Sequence, residues 1–213
     1  MRDGRMNILL VHGSPDPRHR EQAELLASRT AAVLGDEVRI ASLDDEQIPH
    51  GARVLPMFVG EGRHAGEDAT RFAERCGGVL LPPLSQAAEQ LADLGVSMAA
   101  SMQASREPVI FIFYRFQRFE RLLTAIYAQR KRLTRMGMAS LHGVPDCMDM
   151  VRFWQGEGAQ RLVIQPMLLF AGRSLDAAMA GIASAQTQLV WGEPLAAHPA
   201  MPGLIAGRLR GAA

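Results

Sequence analysis

Short apolar runs bounded by turn residues alternate with amphipathic stretches along this chain. That is the pattern of strands buried on both faces and joined by helices. Asn7-Ile8-Leu9-Leu10-Val11 opens the series and ends in the loop His12-Gly13-Ser14-Pro15-Asp16-Pro17. Asp16 suits an N-cap with Pro17 at the first helical position. Leu26, Thr30, Val33 and Leu34 then predict the apolar face of a helix that stops at Gly35. Further strands are predicted over 37–42, 53–59 and 79–81, and helices over 67–76 and 85–94, with a glycine-rich loop from Gly60 to Gly66. Strands alternating with helices predict a parallel sheet covered on both sides.

The pattern then repeats. Pro108 to Phe113 is a second opening strand, followed by a predicted helix with Phe116, Phe119, Leu123 and Ile126 on one face. Met138 to Leu141 matches the second strand, and a helix is predicted over 148–158. Val54-Leu55-Pro56-Met57-Phe58-Val59-Gly60-Glu61-Gly62-Arg63 aligns with Ile164-Gln165-Pro166-Met167-Leu168-Leu169-Phe170-Ala171-Gly172-Arg173, both Pro-Met and both Gly-Arg pairs falling in register. A duplicated α/β unit is the economical reading. It gives a first half over 6–100 and a degenerate second half over 107–210, with a polar boundary near 101–107.

Composition narrows the function. The 213 residues carry 23 basic and 22 acidic groups, a balance that argues against a general nucleic-acid binder. Lys131 is the only lysine. Cys76 and Cys147 form no CxxC and predict buried thiols in a reducing compartment. No run approaches the ~20 apolar residues of a membrane span. The opening residues lead straight into a strand, so a cytoplasmic protein with no targeting segment is expected. The basic residues Arg115, Arg118, Arg121, Arg130, Lys131, Arg132 and Arg135 read as the solvated face of a helix over 115–135, or as a rim that steers an anionic substrate.

In open α/β sheets ligands bind beyond the carboxyl ends of the strands. The first half puts His12 directly after its first strand and His64 in the loop after its third. Such strands are often neighbours, so both imidazoles can converge on one cleft. Imidazole suits Fe, Co, Ni and Zn. Two ligands fall short of a closed structural site, which needs about four. The second half has Tyr114 and Ser174 at the matching positions. His19, His50 and His198 read as surface or turn residues.

Leu9-Leu10-Val11-His12-Gly13-Ser14-Pro15-Asp16-Pro17-Arg18 resembles the opening "LLVGHGSRDPR" of the sirohydrochlorin cobaltochelatase and ferrochelatase family, the small class II tetrapyrrole chelatases. Val54-Leu55-Pro56-Met57-Phe58, with Gly62-Arg63-His64 and Asp68, is similar to a second motif of that family, and the two-half organisation resembles its long form. The resemblance implies two chelatase-like half-domains, each a roughly four-stranded parallel sheet flanked by helices, facing each other across a cleft. It implies a lyase that inserts a divalent metal, Co²⁺ or Fe²⁺ with Ni²⁺ possible, into sirohydrochlorin in cobalamin or sirohaem biosynthesis, without a nucleotide. His12 and His64 would bind the metal and help accept pyrrole protons, while Ser14, Arg18 and Arg63 would meet substrate carboxylates. A monomer is expected, with a tetrapyrrole as partner, no nucleic acid and no membrane.

Two departures from the family pattern stand out. Residues 43–52 are too short for the helix expected there, and the family's glutamate has only Asp44, Asp45 or Glu46 as substitutes. In the second half His142 takes the acidic position. The alternative reading is a tetrapyrrole- or metal-binding protein that keeps the fold without catalysis.

Overall fold

The computed structural model describes residues 6–62, 64–133 and 135–211, His64 and Ala65 by backbone only. Two four-stranded parallel sheets follow one plan. In the first, β1 (Asn7–Val11), β2 (Val38–Ser42), β3 (Arg53–Pro56) and β4 (Val79–Leu80) lie in the order β2-β1-β3-β4. In the second, β5 (Val109–Phe113), β6 (Met136–Ser140), β7 (Arg161–Pro166) and β8 (Gln188–Trp191) lie in the order β6-β5-β7-β8. The registers correspond residue for residue. Val11 pairs with Ser42 as Phe113 pairs with Ser140, and Leu10 with Pro56 as Ile112 with Pro166.

Both central strands, β1 and β5, are buried at every residue. Their apolar runs are what a strand covered on two faces requires. One face of the first sheet packs Ile8, Leu10 and Val54 against Ala69, Phe72 and Ala73 of α2 (Ala69–Arg75). The matching face of the second packs Ile110, Ile112 and Ile164 against Val151 and Trp154 of α5 (Cys147–Gly156), with Ile182. Cys76 and Cys147 are free and buried, and burial pushes the Cys147 thiol up to about 11.

The helix signals in the sequence act locally. α1 (Pro17–Leu34) starts on Asp16, whose carboxylate accepts from the Arg18 N–H, and ends at Gly35 with φ 72°. Its buried stripe is Ala23, Leu26, Ala27 and Thr30, centred so that Val33 falls at the margin and is 49% exposed, contrary to expectation. α5 begins with a capping box between Asp146 and Asp149. Residues 43–52 hold no helix, and Leu43 and Ile48 pack directly on the first core instead.

Two elements differ from the sequence reading. Residues 115–135 do not form one helix. α4 spans only Glu120–Ala128, because Phe116 and Phe119 pack on Phe113 at 6.2 and 5.9 Å from a turn in which Arg118 has φ 70°. The helix predicted over 85–94 runs further, as α3 (Ala88–Met102).

The compact units do not follow the polar boundary near 101–107. One comprises the described residues of Met1–Ala87 with those of Pro199–Ala213; the other is Ala88–His198. The last helix of each repeat is exchanged. α3 packs on β7 and α4 in the second unit, whereas α7 (Met201–Arg210) packs on α1 and β3 in the first. Arg208 and Arg210 of α7 donate to the carbonyls of Pro82 and Val33, closing that helix onto the first unit. The second unit also holds α6 (Arg173–Gly181).

Phe72→Ala should remove a fully buried ring from the first core and lower unfolding free energy by about 3–5 kcal/mol, measured by urea denaturation. His198 lies 3.2 Å from the Ser97 hydroxyl, and burial holds its pKa below the usual 6.5, the Asp93 charge opposing. The unfolded chain therefore binds this proton first as pH falls, so stability is present above pH 6.5 and lost below it. Thermal melts across pH 5 to 7 should show a shallower acid loss in His198→Gln.

Candidate functional site

The chemistry collects where β1, β2 and β3 end. β1 delivers His12, exposed, with its Nδ1 2.7 Å from the carbonyl oxygen of Gly13. A carbonyl can only accept, so Nδ1 carries a proton, and in the neutral ring Nε2 carries the lone pair. This is the tautomer of a metal-ligating histidine, whose other nitrogen donates to a carbonyl or carboxylate. A Cβ at Gly13 would sit 3.3 Å from Asp44 Oδ2 and 3.8 Å from Ser42 Cβ. The glycine thus lets the exits of β1 and β2 approach and sets the Asp44 carboxylate beside the His12 loop.

Two cavities share His12. One, of about 380 Å³, is lined by His12, Asp44, Asp68, Arg71 and Arg75 over Phe72. Asp68 and Arg71 pair at 3.9 Å, and Arg75 donates to the carbonyl of Leu43 at 3.0 Å, tying the 43–45 turn to α2. The other, of about 510 Å³, lies between α1 and β2 and includes His12, Ser14, His19, Glu24 and Asp45. His19 is half-buried, and its pKa is lowered by that burial first and by His12 second, against the pull of Asp16.

The predicted residues separate on this map. His12 and Ser14 share the larger cavity, where the Ser14 hydroxyl accepts from the Asp16 N–H at 3.2 Å. Arg18 lines neither cavity. Its guanidinium makes two bonds to Asp16, at 3.1 and 2.6 Å, and so braces the cap of α1. Arg63 and the His64 side chain lie outside the described residues, as do residues 1–5; the His64 backbone opens a π-turn, His64–Asp68, after β3. Of the three acids left open by the sequence, Asp45 is held by the N–H and hydroxyl of Ser42 at 2.8 and 3.0 Å, and Glu46 lines neither cavity. Asp44 alone shares one with Asp68 and His12.

Sequence reasoning read His19 as a surface or turn residue, whereas it is half-buried in the first turn of α1, and it passed over Arg71 and Arg75. The helical spacing of Glu67, Arg71 and Arg75 was the available signal for the arginines. Nothing in the spacing marked His19, because only the cap at Asp16 sets which way the first turn of α1 faces.

The second unit shows how these strand exits meet. Tyr114, His142 and Ser174 follow β5, β6 and β7 at the positions that His12, Asp44 and His64 hold after β1, β2 and β3. His142 Nε2 lies 3.2 Å from Ser174 Oγ, and the His142 ring packs edge-on to Tyr114 at 4.6 Å. Among the described residues no group of three or more His, Cys, Asp or Glu side chains is arranged to hold a metal, and no helix is long and apolar enough to cross a membrane.

No protein-family model and no curated protein sequence matches the chain. Solved structures share its fold across nearly the whole length. One is CbiX, described as the terminal enzyme for biosynthesis of siroheme in denitrifying bacteria, at 20% identity and a TM-score of 0.76, covering 98% of this chain and 100% of that one. A second is SirB from Bacillus subtilis with Fe³⁺, at 17% identity and a TM-score of 0.72, covering 98% and 96%. A third is DR2241 from Deinococcus radiodurans, a multi-domain protein with structural similarity to chelatases and two additional novel domains; at 17% identity and a TM-score of 0.68 the match covers 99% of this chain and 56% of that one. The chain therefore has the chelatase-like fold.

Asp16→Ala should cost about 1 kcal/mol in urea denaturation through loss of the α1 cap, and should unpin Arg18.

Proposed function

We propose that this protein is a tetrapyrrole chelatase, inserting a divalent metal into sirohydrochlorin or a closely related macrocycle. The observation that carries the reading is the equivalence of the strand exits. His142 contacts both Ser174 and Tyr114 in the second unit, and the first unit has Asp44, His64 and His12 at the same three positions on an identically registered sheet. Two imidazoles and a carboxylate brought together by these exits would make a ligand set for a first-row divalent ion. The fold shared with CbiX and SirB supports the same reading.

In the proposed reaction the metal is substrate. His12, through Nε2, and His64 hold the ion with Asp44 alongside, water completing its shell. Pyrrole nitrogens replace those ligands as two pyrrole protons leave, so one divalent ion enters for two protons released and no electron moves. An imidazole is suited to take such a proton because its pKa lies near neutrality. An incomplete protein ligand set fits an ion that must depart. Arg71 and Arg75 of the smaller cavity are added to Ser14, Arg18 and Arg63 as groups to meet the carboxylates of the macrocycle. Co²⁺ and Fe²⁺ are the proposed ions, with Ni²⁺ as a further substrate, in cobalamin or sirohaem synthesis. Two repeats in one chain suit a monomer in the cytoplasm.

A second reading rests on residues 43–52. They carry no helix where the second unit has α5, so one wall beside the site is thinner. A protein that binds tetrapyrrole without inserting metal would tolerate that loss.

The test is to mix protein, sirohydrochlorin and Co²⁺ or Fe²⁺ and follow the macrocycle's absorbance. A rate above the protein-free reaction is expected, with His12→Ala and His64→Ala each reducing it at least about 100-fold, within the span that proton transfer by a positioned group supplies. Tight binding of the macrocycle without insertion would favour the second reading. Full activity in both histidine variants would overturn the site.

A further inference from the structure

We propose that His19 is an additional imidazole ligand for the incoming cation, acting beside His12 in the cavity between α1 and β2. The inference rests on the chelatase reading and deepens it by naming where the ion is received.

His12 stands at the junction of two unlike cavities. On one side it meets Asp44, Asp68 and the arginines of α2, a mixed-charge surface suited to a polycarboxylate. On the other it meets His19, Ser14, Glu24 and Asp45. His19 is the third residue of α1, and its N–H donates to the Asp16 carbonyl at 3.1 Å. The first turn is therefore fixed by the Asp16 cap, and the imidazole is carried to the cavity by rigid backbone rather than by a loop. It is half-buried there.

The donor types in the α1–β2 cavity favour a borderline cation. Glu24 is paired with Arg20 at 2.8 Å, and Asp45 is bonded to Ser42. The carboxylates are thus engaged within the protein, and His12 and His19 both bring imidazole nitrogen to the lining of this cavity. Imidazole suits Co, Ni, Fe and Zn, whereas a hard ion such as Mg²⁺ needs oxygen ligands. Reception on the α1 side also solves a problem of access. A macrocycle lying over the carboxylate side would cover the ion's route from that direction, while the His19 side stays a separate approach to the same His12.

The experiment uses the full chain with Co²⁺ alone, by titration calorimetry, and with Cu²⁺ alone, by pulsed electron paramagnetic resonance, which counts coordinated imidazoles. His19→Gln should weaken Co²⁺ binding at least about 10-fold, the lower end of the effect of disturbing a metal's ligand environment, and should remove one imidazole from the Cu²⁺ spectrum. His19→Asn serves as the second variant, and circular dichroism checks that each is folded. Unchanged Co²⁺ affinity with an unchanged imidazole count in the folded variants would overturn the proposal. Because the titration contains no tetrapyrrole, its outcome is separate from that of the insertion assay. A wild-type protein that binds Co²⁺ through His19 yet inserts nothing would sink the chelatase reading and leave the His19 ligand standing.

Discussion

Everything at the site follows from burying β1 and β5 on both faces. A strand covered on two sides has no side chain that can reach solvent along its length, so function is confined to the residue that follows it. In the first unit that residue is His12; in the second it is Tyr114. Parallel pairing with β2 and β3 then fixes which neighbouring loops end beside it. A chain with near-zero net charge can still hold a charged site: β1 and β5 carry no ionic group, while Asp44, Asp68, Arg71 and Arg75 line one cavity with His12.

Much of this was legible from the chain. Asp16, Pro17 and Gly35 act through contacts within a few residues, so the limits of α1 could be read directly. The paired Pro-Met segments foretold two sheets with one strand order, because the same residues meet the same packing demand twice. What could not be read depends on tertiary choice. The Ala- and Leu-rich faces of α3 and α7 suit either sheet, and only packing decides which each covers. The spacing of Phe116 and Phe119 imitates a helix face, yet both rings satisfy Phe113 from a turn. Choosing among Asp44, Asp45 and Glu46 needed the Ser42 bonds that engage Asp45 and the close approach at Gly13.

The two units show what one scaffold does with different residues at equivalent points. In the second, His142 engages both other strand-exit side chains, the hydroxyl of Ser174 and the ring of Tyr114. In the first, the corresponding positions in the chain are His12, Asp44 and His64, and His12 and Asp44 line a cavity that can admit a ligand. The missing helix after β2 belongs to the same contrast. The second unit covers that face with the ten residues of α5, opened by a capping box, together with Ile182, while the first covers it with α2, Leu43 and Ile48.

The exchange of terminal helices reverses the order in which the molecule can be completed. The second unit is one uninterrupted stretch, Ala88–His198, and all its elements are present once that stretch has been made. The first unit starts earlier in the chain but lacks α7 until Met201–Arg210 emerge. During synthesis from the amino end, the first sheet therefore waits for a helix made after the whole second unit, with the α7-facing sides of α1 and β3 open to water meanwhile. The half that carries His12 is thus the half most exposed to loss of the chain's carboxyl end.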